Sequence, residues 1–400
     1  MRSSAQLSAH CPLCESASLE PLLEVSGVPT RHVRAAGEGR RPTDFGDLGI
    51  AACMQCGHIF NSRFEESDAD DLYKVHPSTN APVHESMLQG LRAIAAKIMA
   101  GRGSGARVLE IGCGVGALAR LLAESASSVD LIEPNLALSK APFDNPSIRV
   151  LPGFFPQATT GLRYDLIVCR QVLEHIARPT DFLAAIRDHL APGGQAYIEV
   201  PSADYILDNF ALADFHYLHV QYFTGANFER LLVRVGLQIV NSWSIKDGHD
   251  VGYWTVPANP ASPAACPPQF NPGEFRRGLE ARRRTGADRL AAMSGRIALY
   301  GASAYSQALL GMYPDLIKTA GIFDDTESYA GCLAYSRLGE APVQLPDKRL
   351  VSEFGNIVVC TYLHDRVIAG KLPGLGYAGQ VHSLRPDAAA GRDAPPSLFR

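Results

Sequence analysis

Apolar residues follow different spacings along the chain and divide it into regions. The first region, up to about Pro82, has short apolar stretches between turn residues, and it holds too few apolar positions to be stable through burial alone. From Val83 to Ile98 the apolar positions recur as on one face of a helix. A Gly- and Ser-rich link follows over Gly101–Gly105. The pattern predicts a turn-rich N-terminal unit that a helix connects to the rest of the chain.

Short apolar runs then alternate with helical patterns. Strands are predicted at Arg107–Gly112, Val129–Glu133, Ile148–Leu151, Asp165–Cys169 and Gln195–Val200, with helices at Ala117–Ser125 and Asp181–Leu190. Apolar strands separated by helices indicate a parallel sheet that is covered on both faces. After a helix at Asn227–Val235, two apolar runs at Leu237–Val240 and Val251–Val256 predict an antiparallel pair that closes this sheet.

A second alternation begins beyond Pro257–Pro272, which holds six prolines and reads as a linker. The helix predicted at Gly273–Met293 carries several arginines; we interpret them as a solvated face, with a binding role as the alternative. Further strands are predicted at Ile297–Tyr300, Gly321–Phe323 and Asn356–Cys360. These strands indicate a smaller doubly wound domain. The tail after Pro386 is rich in Pro, Ala and Asp, and we expect it to be loose.

These patterns predict an N-terminal segment (1–82), a central segment (83–256), a linker (257–272) and a C-terminal segment (273–400). A length of 400 residues fits two or three domains.

The chain is 46% apolar and 20% charged with a net charge of −4, which argues against binding nucleic acid through bulk electrostatics. No apolar run is long enough to span a bilayer, and Met1–His10 lacks the pattern of a signal peptide. We therefore expect a cytoplasmic protein with neither a membrane nor a nucleic-acid partner.

Four of the nine cysteines form two Cys-x-x-Cys pairs, Cys11 with Cys14 and Cys53 with Cys56. Two such pairs supply four thiolates for a tetrahedral Zn²⁺ with no position left for water, so the predicted metal is structural. Its binding energy would act as folding energy for the N-terminal segment. Iron is the alternative metal, and two unrelated pairs or a redox pair are the alternatives to a metal site. The other five cysteines stand singly, as is typical of buried thiols in a reducing cytosol.

The glycines at positions 112, 114 and 116 carry the clearest chemical signal. An apolar strand runs into a turn that contains Gly112, Gly114 and Gly116, and a predicted helix follows at once. Small residues there let a ligand approach the backbone closely. Nicotinamide-binding sheets share a version of this spacing, so they remain the alternative.

Two acidic residues favour a different ligand. Glu110 precedes the first glycine by two residues, where a carboxylate can orient a cationic amino-acid group but would gain nothing from a pyrophosphate. Glu133 ends the next strand, where it can accept hydrogen bonds from two ribose hydroxyls. S-adenosylmethionine carries both an α-ammonium group and a ribose, so these residues favour it as the cofactor.

Residues 108–116 with Glu133, and the fourth strand with its following loop (165–175), resemble class I S-adenosylmethionine-dependent methyltransferases. In that family the glycine turn passes beneath the methionine moiety, and the acid that matches Glu133 holds the ribose. The resemblance further implies that Phe154 borders the adenine and that Gln171 lies near the methionyl end.

The order of a four-cysteine module, a class I core and a second Rossmann-like domain resembles C-methyltransferases of nucleotide-linked keto-deoxysugars. The shared landmarks are Cys56–Asn61, Leu173–His175, His219–Thr224 and Tyr300–Ala304. The resemblance implies an α/β fold with a Rossmann-like methyltransferase core, an N-terminal zinc-binding module and a smaller C-terminal Rossmann-like domain that helps to hold the nucleotide. In these enzymes a keto group acidifies the neighbouring carbon, a base removes the proton and the enolate takes the methyl group. Such a role would place this chain in secondary metabolism, for example in antibiotic biosynthesis.

The family's catalytic motif is His-Glu-His followed by Tyr-Phe. Aligned on Tyr222, this chain keeps the second histidine as His219 but has Tyr217 and Leu218 in place of the other two residues. His219 is therefore the predicted general base, and Tyr222 is expected to shape the pocket or to donate a proton. A carboxylate beside a histidine raises its basicity and fixes its tautomer, which Leu218 cannot do. O- or N-methylation of a sugar or natural product, which asks less of the base, is the alternative reaction.

Other positions have both a catalytic and a structural interpretation. His175 matches a further family histidine, although it could simply cap the loop after its strand. Tyr73 and His76 fall where the family folds a lid residue over the acceptor, or else on a plain surface loop. A scaffold that binds the cofactor without catalysis is the alternative of a different class, and Tyr217 and Leu218 are its only support. The sequence names neither the acceptor nor the oligomeric state.

Overall fold

The computed structural model describes residues 9–65, 85–100, 105–135, 143–264, 266–361, 364–386 and 395–399. Tyr73 and His76, the predicted lid residues, lie outside the described residues. Three β-sheets account for all the strands in this part of the chain. Among the same residues, no helix combines the length and the apolar character that a membrane crossing requires.

The first sheet is antiparallel and draws one of its strands from the central segment. It contains β1 (Leu19–Pro29), β2 (Phe45–Cys53), β3 (Ile59–Asn61) and β9 (Gln221–Tyr222) in that order. Ile59 of β3 pairs with Tyr222 of β9. The N-terminal segment is therefore joined to the central segment by backbone hydrogen bonds as well as by sequence.

The second sheet has seven strands in the order β10-β11-β8-β7-β4-β5-β6. These strands are β4 (Arg107–Ile111), β5 (Ser128–Glu133), β6 (Ile148–Pro152), β7 (Tyr164–Arg170), β8 (Leu190–Pro201), β10 (Leu237–Ile245) and β11 (Asp250–Pro257). Strands β4 to β8 run parallel, whereas β11 runs antiparallel between β8 and β10. The antiparallel closing pair predicted from the sequence is present. The strand order reverses between β4 and β7, and ligands of such sheets bind at that point, beyond the carboxyl ends of the strands.

Helices cover both faces of the second sheet. They are α1 (Glu85–Ala100), α2 (Ala117–Leu122), α3 (Pro179–Asp188) and α5 (Gly225–Val235), whereas α4 (Ala203–Asn209) packs in a core shared with the N- and C-terminal segments. Val108 of β4 packs in a core with α1 and α2, while its neighbour Leu109 packs on the opposite face with α3 and α5. Because successive strand residues point to opposite faces, continuous apolar strands need this double cover.

The third sheet forms most of the C-terminal segment, in the order β14-β15-β13-β12-β16-β17. Its strands are β12 (Ile297–Tyr300), β13 (Gly321–Phe323), β14 (Leu333–Ser336), β15 (Gly339–Gln344), β16 (Asn356–Val359) and β17 (Gln380–Ser383). Its helices are α6 (Pro272–Ala292), α7 (Ala304–Met312), α8 (Lys348–Val351) and α9 (Asp365–Lys371). All strand pairs are parallel except β14 with β15.

The N-terminal sheet finds its core partner in the C-terminal segment. Leu22 and Val28 of β1 are buried in one cluster with Leu309 and Leu310 of α7. Val28 lies so close to Gly311 that a Cβ there would be 2.6 Å from Val28 Cγ1. The apolar residues of the N-terminal segment, too few to make a core of their own, therefore contribute to a shared one.

The expectation of a loose tail after Pro386 is wrong for residues 395–399. Ser397 forms a parallel bridge with Ser383, and Leu398 is completely buried. Arg282 and Arg289 of α6 donate hydrogen bonds to the carbonyl oxygens of Phe399 and Ser397 at 2.9 and 2.7 Å. Two apolar side chains at the end of a polar stretch suffice to dock it, and Arg282, one of the arginines assigned to a solvated face, helps to hold it there.

Candidate active site

A cavity of about 340 Å³ opens at the carboxyl ends of β4, β5 and β7, where the strand order reverses. Its lining includes the loops after these strands, His32 of the N-terminal segment, and Ala304 and Tyr305 of α7. All three segments therefore contribute to its wall. Its size is within the range of small-molecule sites.

The glycine turn forms the floor of one end. Gly112, Gly114 and Gly116 have φ values of 72°, 54° and 68°, in the left-handed region that favours glycine. A Cβ on Gly112 would lie 2.4 Å from Val172 Cγ2, so a side chain there would also clash. Gly112 and Gly114 line the cavity, whereas Gly116 lies behind it as the N-cap of α2.

Glu133 lies at the end of β5 and lines the same end of the cavity. Its two carboxylate oxygens accept hydrogen bonds from the backbone N–H groups of Gly114 and Asn135, both at 2.9 Å. Burial raises the pKa of Glu133, and these two hydrogen bonds oppose that effect. The carboxylate is thus fixed against the glycine turn at the end of β5, and its predicted contact with a ribose stays a prediction.

Glu110 lies beneath the turn and is not part of the cavity lining. Burial raises the pKa of its carboxyl to about 8; the charge of Arg170 opposes the shift and that of Glu133 adds to it. Its Oε2 atom has no hydrogen-bond partner among the described residues. The predicted direct contact with a cofactor therefore stays a prediction.

Gln171 and Phe154 complete the predicted cofactor set, and both line the cavity. Gln171 follows β7 with a φ of 54°, a strained conformation for a residue other than glycine. Its side-chain amide lies 3.4 Å from Glu199 Oε1, and Glu199 also holds Arg170 through two hydrogen bonds of 2.8 Å. This buried network fixes the loop that turns Gln171 towards the cavity.

The other end of the cavity is lined by Glu174, His175 and His219. The Nε2 atoms of His175 and His219 lie 3.9 and 4.0 Å from Glu174 Oε1. A backbone hydrogen bond of 2.7 Å from Val220 to Glu174 brings the two loops together. The two predicted catalytic histidines are therefore neighbours, with ring centroids 5.0 Å apart.

Both histidines are neutral at neutral pH. Burial lowers the pKa of His175 to about 4, although the carbonyl of Leu218 opposes the shift. Burial and the surrounding histidines hold the pKa of His219 well below its ordinary value. Burial also raises the pKa of Glu174, to about 8.

Tyr222 is fully buried behind the cavity and is not part of its lining. Its hydroxyl donates a hydrogen bond of 3.4 Å to the carbonyl oxygen of His216, and its backbone pairs with Ile59. Tyr217 and Leu218 are buried as well. The structure therefore places Tyr222 in the supporting wall and does not bring it to the position of a proton donor.

Several residues of this end were missed by the sequence reasoning. Glu174 stands in the predicted Leu-Glu-His string but received no role. His249 lies 2.6 Å from Asp250 and 3.0 Å from Asp214, and the hydroxyl of Tyr305 is 3.2 Å from its Nε2 atom. Burial alone would lower the pKa of His249, but the two carboxylates outweigh it and raise that pKa to about 9. Only the fold brings these residues together, so no local pattern could have found them.

The four predicted zinc ligands converge at the edge of the N-terminal sheet. The Sγ atoms of Cys11 and Cys56 are 3.6 Å apart, and those of Cys14 and Cys53 are 3.5 Å apart. All four sulfur atoms lie within 4.8 Å of one another. Sulfurs on a zinc ion at about 2.3 Å would be about 3.8 Å apart, so the donor set fits a tetrahedral Zn²⁺.

Comparisons with known proteins point to one family. Residues 83–242 match the family model described as "Methyltransferase domain". Among curated proteins, the chain is similar to the mitochondrial ubiquinone biosynthesis O-methyltransferase of Schizosaccharomyces pombe, with 28% identity over 107 residues, or 25% of this chain and 39% of that protein. The corresponding protein of Roseobacter denitrificans is 32% identical over 96 residues, or 22% of this chain and 39% of that protein. The chain thus spans about two fifths of the length of these relatives.

Two solved structures show a distant similarity to the central part of the chain. An S-adenosylmethionine-dependent methyltransferase from Clostridium acetobutylicum has 13% identity and a TM-score of 0.37, covering 43% of this chain and 92% of that one. The N-methyltransferase NodS from Bradyrhizobium japonicum has 18% identity and a TM-score of 0.35, covering 43% of this chain and 96% of that one.

Proposed function

Because residues 83–242 form a class I methyltransferase domain with a Rossmann-like α/β fold, we propose that the whole chain is an S-adenosylmethionine-dependent methyltransferase with a small-molecule acceptor. The family match confirms the Rossmann-like methyltransferase core predicted from the sequence. The cofactor supplies an electrophilic methyl group on a sulfonium. Glu133 and the glycine turn would hold its ribose and methionine moieties, while Phe154 and Gln171 lie where the resemblance expects cofactor contacts.

One observation carries the proposal. A single cavity joins the glycine turn and Glu133 at one end to Glu174, His175 and His219 at the other. Methyl transfer requires the acceptor atom to lose a proton and to lie in line with the methyl group. The two neutral histidines lie where that proton has to be removed or displaced. A scaffold without catalysis would need no such group beside the cofactor end.

For the acceptor we propose a nucleotide-linked keto-deoxysugar that is methylated at carbon. Glu174 Oε1 lies 4.0 Å from His219 Nε2, so a carboxyl group stands beside this histidine although Leu218 replaces the family's glutamate. Ala304 and Tyr305 extend the cavity wall into the C-terminal segment, as a large acceptor with a nucleotide handle would require. O- or N-methylation is the second candidate, and the similarity to ubiquinone biosynthesis O-methyltransferases favours oxygen.

We also propose that Cys11, Cys14, Cys53 and Cys56 hold one structural Zn²⁺. The spacing of the four sulfurs supports this assignment, and iron is the alternative. A cytoplasmic location and the absence of a nucleic-acid or membrane partner stay predictions from composition.

Proton NMR in D₂O, with mass spectrometry, tests the proposed reaction. The sample contains the enzyme, S-adenosylmethionine and a nucleotide-linked 4-keto-6-deoxyhexose. A new carbon-bound methyl signal, together with deuterium exchange beside the ketone, is expected for C-methylation. If neither occurs, the C-methylation proposal is wrong, and hydroxyl and amino acceptors are tested next. If no acceptor in a metabolite extract leads to consumption of the cofactor, the methyltransferase proposal itself fails.

A further inference from the structure

Glu174 is a buried carboxylate without a partner at the wall of the proposed acceptor site. It is 1% exposed, and neither of its oxygens has a hydrogen-bond partner among the described residues. A buried ionised carboxylate is unfavourable unless hydrogen bonds, a proton or a cation compensates it. The nearby cation Lys246 is bound to Asp250, with 2.6 Å between Nζ and Oδ2. The compensation is left to a proton on Glu174, in keeping with its raised pKa, or to a cation bound beside it.

Two imidazole nitrogens converge on the same carboxylate. His175 Nδ1 lies 2.8 Å from the carbonyl oxygen of Leu218, which can only accept, so Nδ1 carries the proton. His175 Nε2 therefore presents a lone pair, and it lies 3.9 Å from Glu174 Oε1. His219 Nε2 lies 4.0 Å from the same oxygen. These distances are too long for hydrogen bonds, so the two imidazoles and the carboxyl group converge on one point without binding one another.

We propose that Glu174, His175 and His219 bind one divalent transition-metal ion, to which the oxygen of the acceptor coordinates. Two ligands that each lie about 2.1 Å from one cation can be up to about 4.2 Å apart, so the observed separations fit. All three ligand atoms lie within 4.8 Å of one another. The hydrogen bond from His175 Nδ1 to a backbone carbonyl is the usual outer support of a metal-binding histidine.

The ligand set indicates both the metal and its role. Two imidazoles and one carboxylate suit Mn²⁺, Fe²⁺, Co²⁺ or Zn²⁺ and leave coordination positions open. The three residues line the cavity, so these positions face the acceptor and not the protein interior. An acceptor with two neighbouring oxygens, such as an α-hydroxyketone or a vicinal diol, would chelate the ion. The ion would make the bound oxygen or the carbon beside it more acidic, and the released proton would pass to water.

This inference rests on the proposed function for its acceptor but is tested by metal binding alone. Purified full-length protein is dialysed against a mild chelator and titrated with Mn²⁺, and free Mn²⁺ is followed by electron paramagnetic resonance. We expect one equivalent to bind to the wild type and at least about 100-fold weaker binding to Glu174→Gln, because loss of even an outer-shell partner costs about 10–100-fold. Glu229→Gln, on the exposed face of α5, is the matched control and should bind like the wild type.

Binding of S-adenosylhomocysteine shows whether each variant is folded. If Glu174→Gln does not bind S-adenosylhomocysteine, His175→Gln is tested in its place. Equal Mn²⁺ binding by wild type and variant would overturn the metal site. Full turnover by chelator-treated protein would also overturn it while leaving the methyltransferase proposal intact. If Mn²⁺ binds as expected but no acceptor is ever methylated, the metal site stands and the proposed function fails.

Discussion

At the scale of single residues, Glu133 offers the most direct test of the cofactor end. Its carboxylate is held by two backbone N–H groups and would accept two more hydrogen bonds from the ribose. A hydrogen bond to a charged group contributes about 1.5–3 kcal/mol, so Glu133→Gln should weaken S-adenosylhomocysteine binding by roughly 10–100-fold. Isothermal titration calorimetry measures this, with Glu124→Gln on the exposed side of the same domain as the control. Unchanged affinity in Glu133→Gln would remove Glu133 from the cofactor site.

His219 is the residue on which the acceptor chemistry depends. We expect His219→Asn to lower kcat by roughly 10²–10⁴-fold, whether His219 takes the proton itself or binds the ion that makes the acceptor acidic. The thermal midpoint and the affinity for S-adenosylhomocysteine should change little, since the side chain lies at the opposite end of the cavity. His382→Asn, on β17 of the third sheet, is the control. Turnover within about threefold of the wild type would show that His219 does not assist the reaction.

The sequence predicted those site residues that belong to one short motif. The glycine turn, Glu133 and the Cys-x-x-Cys pairs each depend on local spacing, so they were recognisable. Glu174 also belongs to a short motif, but its role in the site depends on contact with His219, which is 45 positions away in the sequence. His249 and Tyr305 were missed because their roles arise only from packing between segments.

At the scale of elements, we expect the docked tail (residues 395–399) to contribute to the free energy of unfolding. Leu398 is fully buried beside the third sheet, whereas Leu338 is 43% exposed. Replacing a buried leucine by alanine costs roughly 2–5 kcal/mol, so Leu398→Ala should lower the free energy of unfolding by about that amount. Leu338→Ala should change it by less than about 0.5 kcal/mol. Chemical denaturation compares the two, and equal stabilities would mean that the tail does not dock in solution.

We expect the free energy of unfolding to depend on pH because of His249, which lies in the turn between β10 and β11. His249 there has a folded-state pKa of about 9, above its ordinary value of about 6.5, because of Asp214 and Asp250. A raised pKa stabilises the fold fully below pH 6.5, and the contribution is lost as the pH rises towards 9. The loss should be on the order of 3 kcal/mol at most, since one pKa unit corresponds to about 1.4 kcal/mol.

Denaturation at several pH values between 6.5 and 9 measures this slope, and His249→Gln should make it less steep. The slope that remains below about pH 8 comes from Glu110 and Glu174, because burial raises the pKa of each to about 8. Tyr205 and Tyr305 also face the imidazole, but burial raises the pKa of Tyr205 to a value above this range. Lys246 pairs with Asp250 through atoms that the substitution does not touch, so we expect this ion pair to persist in the variant. The same slope in both proteins would exclude His249 as its source.

Regular elements were more predictable than irregular ones for a physical reason. The parallel strands are buried on both faces, so they are continuous apolar runs whatever their partners are. The tail has only two apolar residues in a polar stretch, and its docking depends on Arg282, Arg289 and the groove beside α6. No periodicity marks such a segment.

At the scale of the whole molecule, the three segments are linked through the acceptor end of the cavity. Strand β9 lies in the N-terminal sheet, and it begins two residues after His219. Residues of β1 share a core with α7, whose first turn carries Tyr305 into the cavity wall. The cofactor end, by contrast, is built by the central segment alone. Disturbing the N-terminal sheet should therefore impair the acceptor chemistry more than cofactor binding.

Removing one of the proposed zinc ligands tests this consequence. In Cys14→Ser we expect loss of the bound zinc and a thermal midpoint lowered by more than about 5 °C, because a structural zinc contributes folding energy. Affinity for S-adenosylhomocysteine should stay within about threefold of the wild type, while turnover falls by at least about tenfold as β9 loses its anchored partner. Cys332→Ser, at a cysteine outside the cluster, is the control.

Zinc is counted by elemental analysis in the Glu174→Gln background, so that the proposed second metal site cannot contribute. One zinc per chain is expected there, and none once Cys14 is also replaced. Well under one zinc per chain with Cys14 intact would contradict the four-cysteine site. Equal losses of cofactor affinity and turnover in Cys14→Ser would show that the N-terminal sheet supports the whole fold and not the acceptor end in particular. A selective loss of turnover would mean that the small first sheet positions His219 through β9.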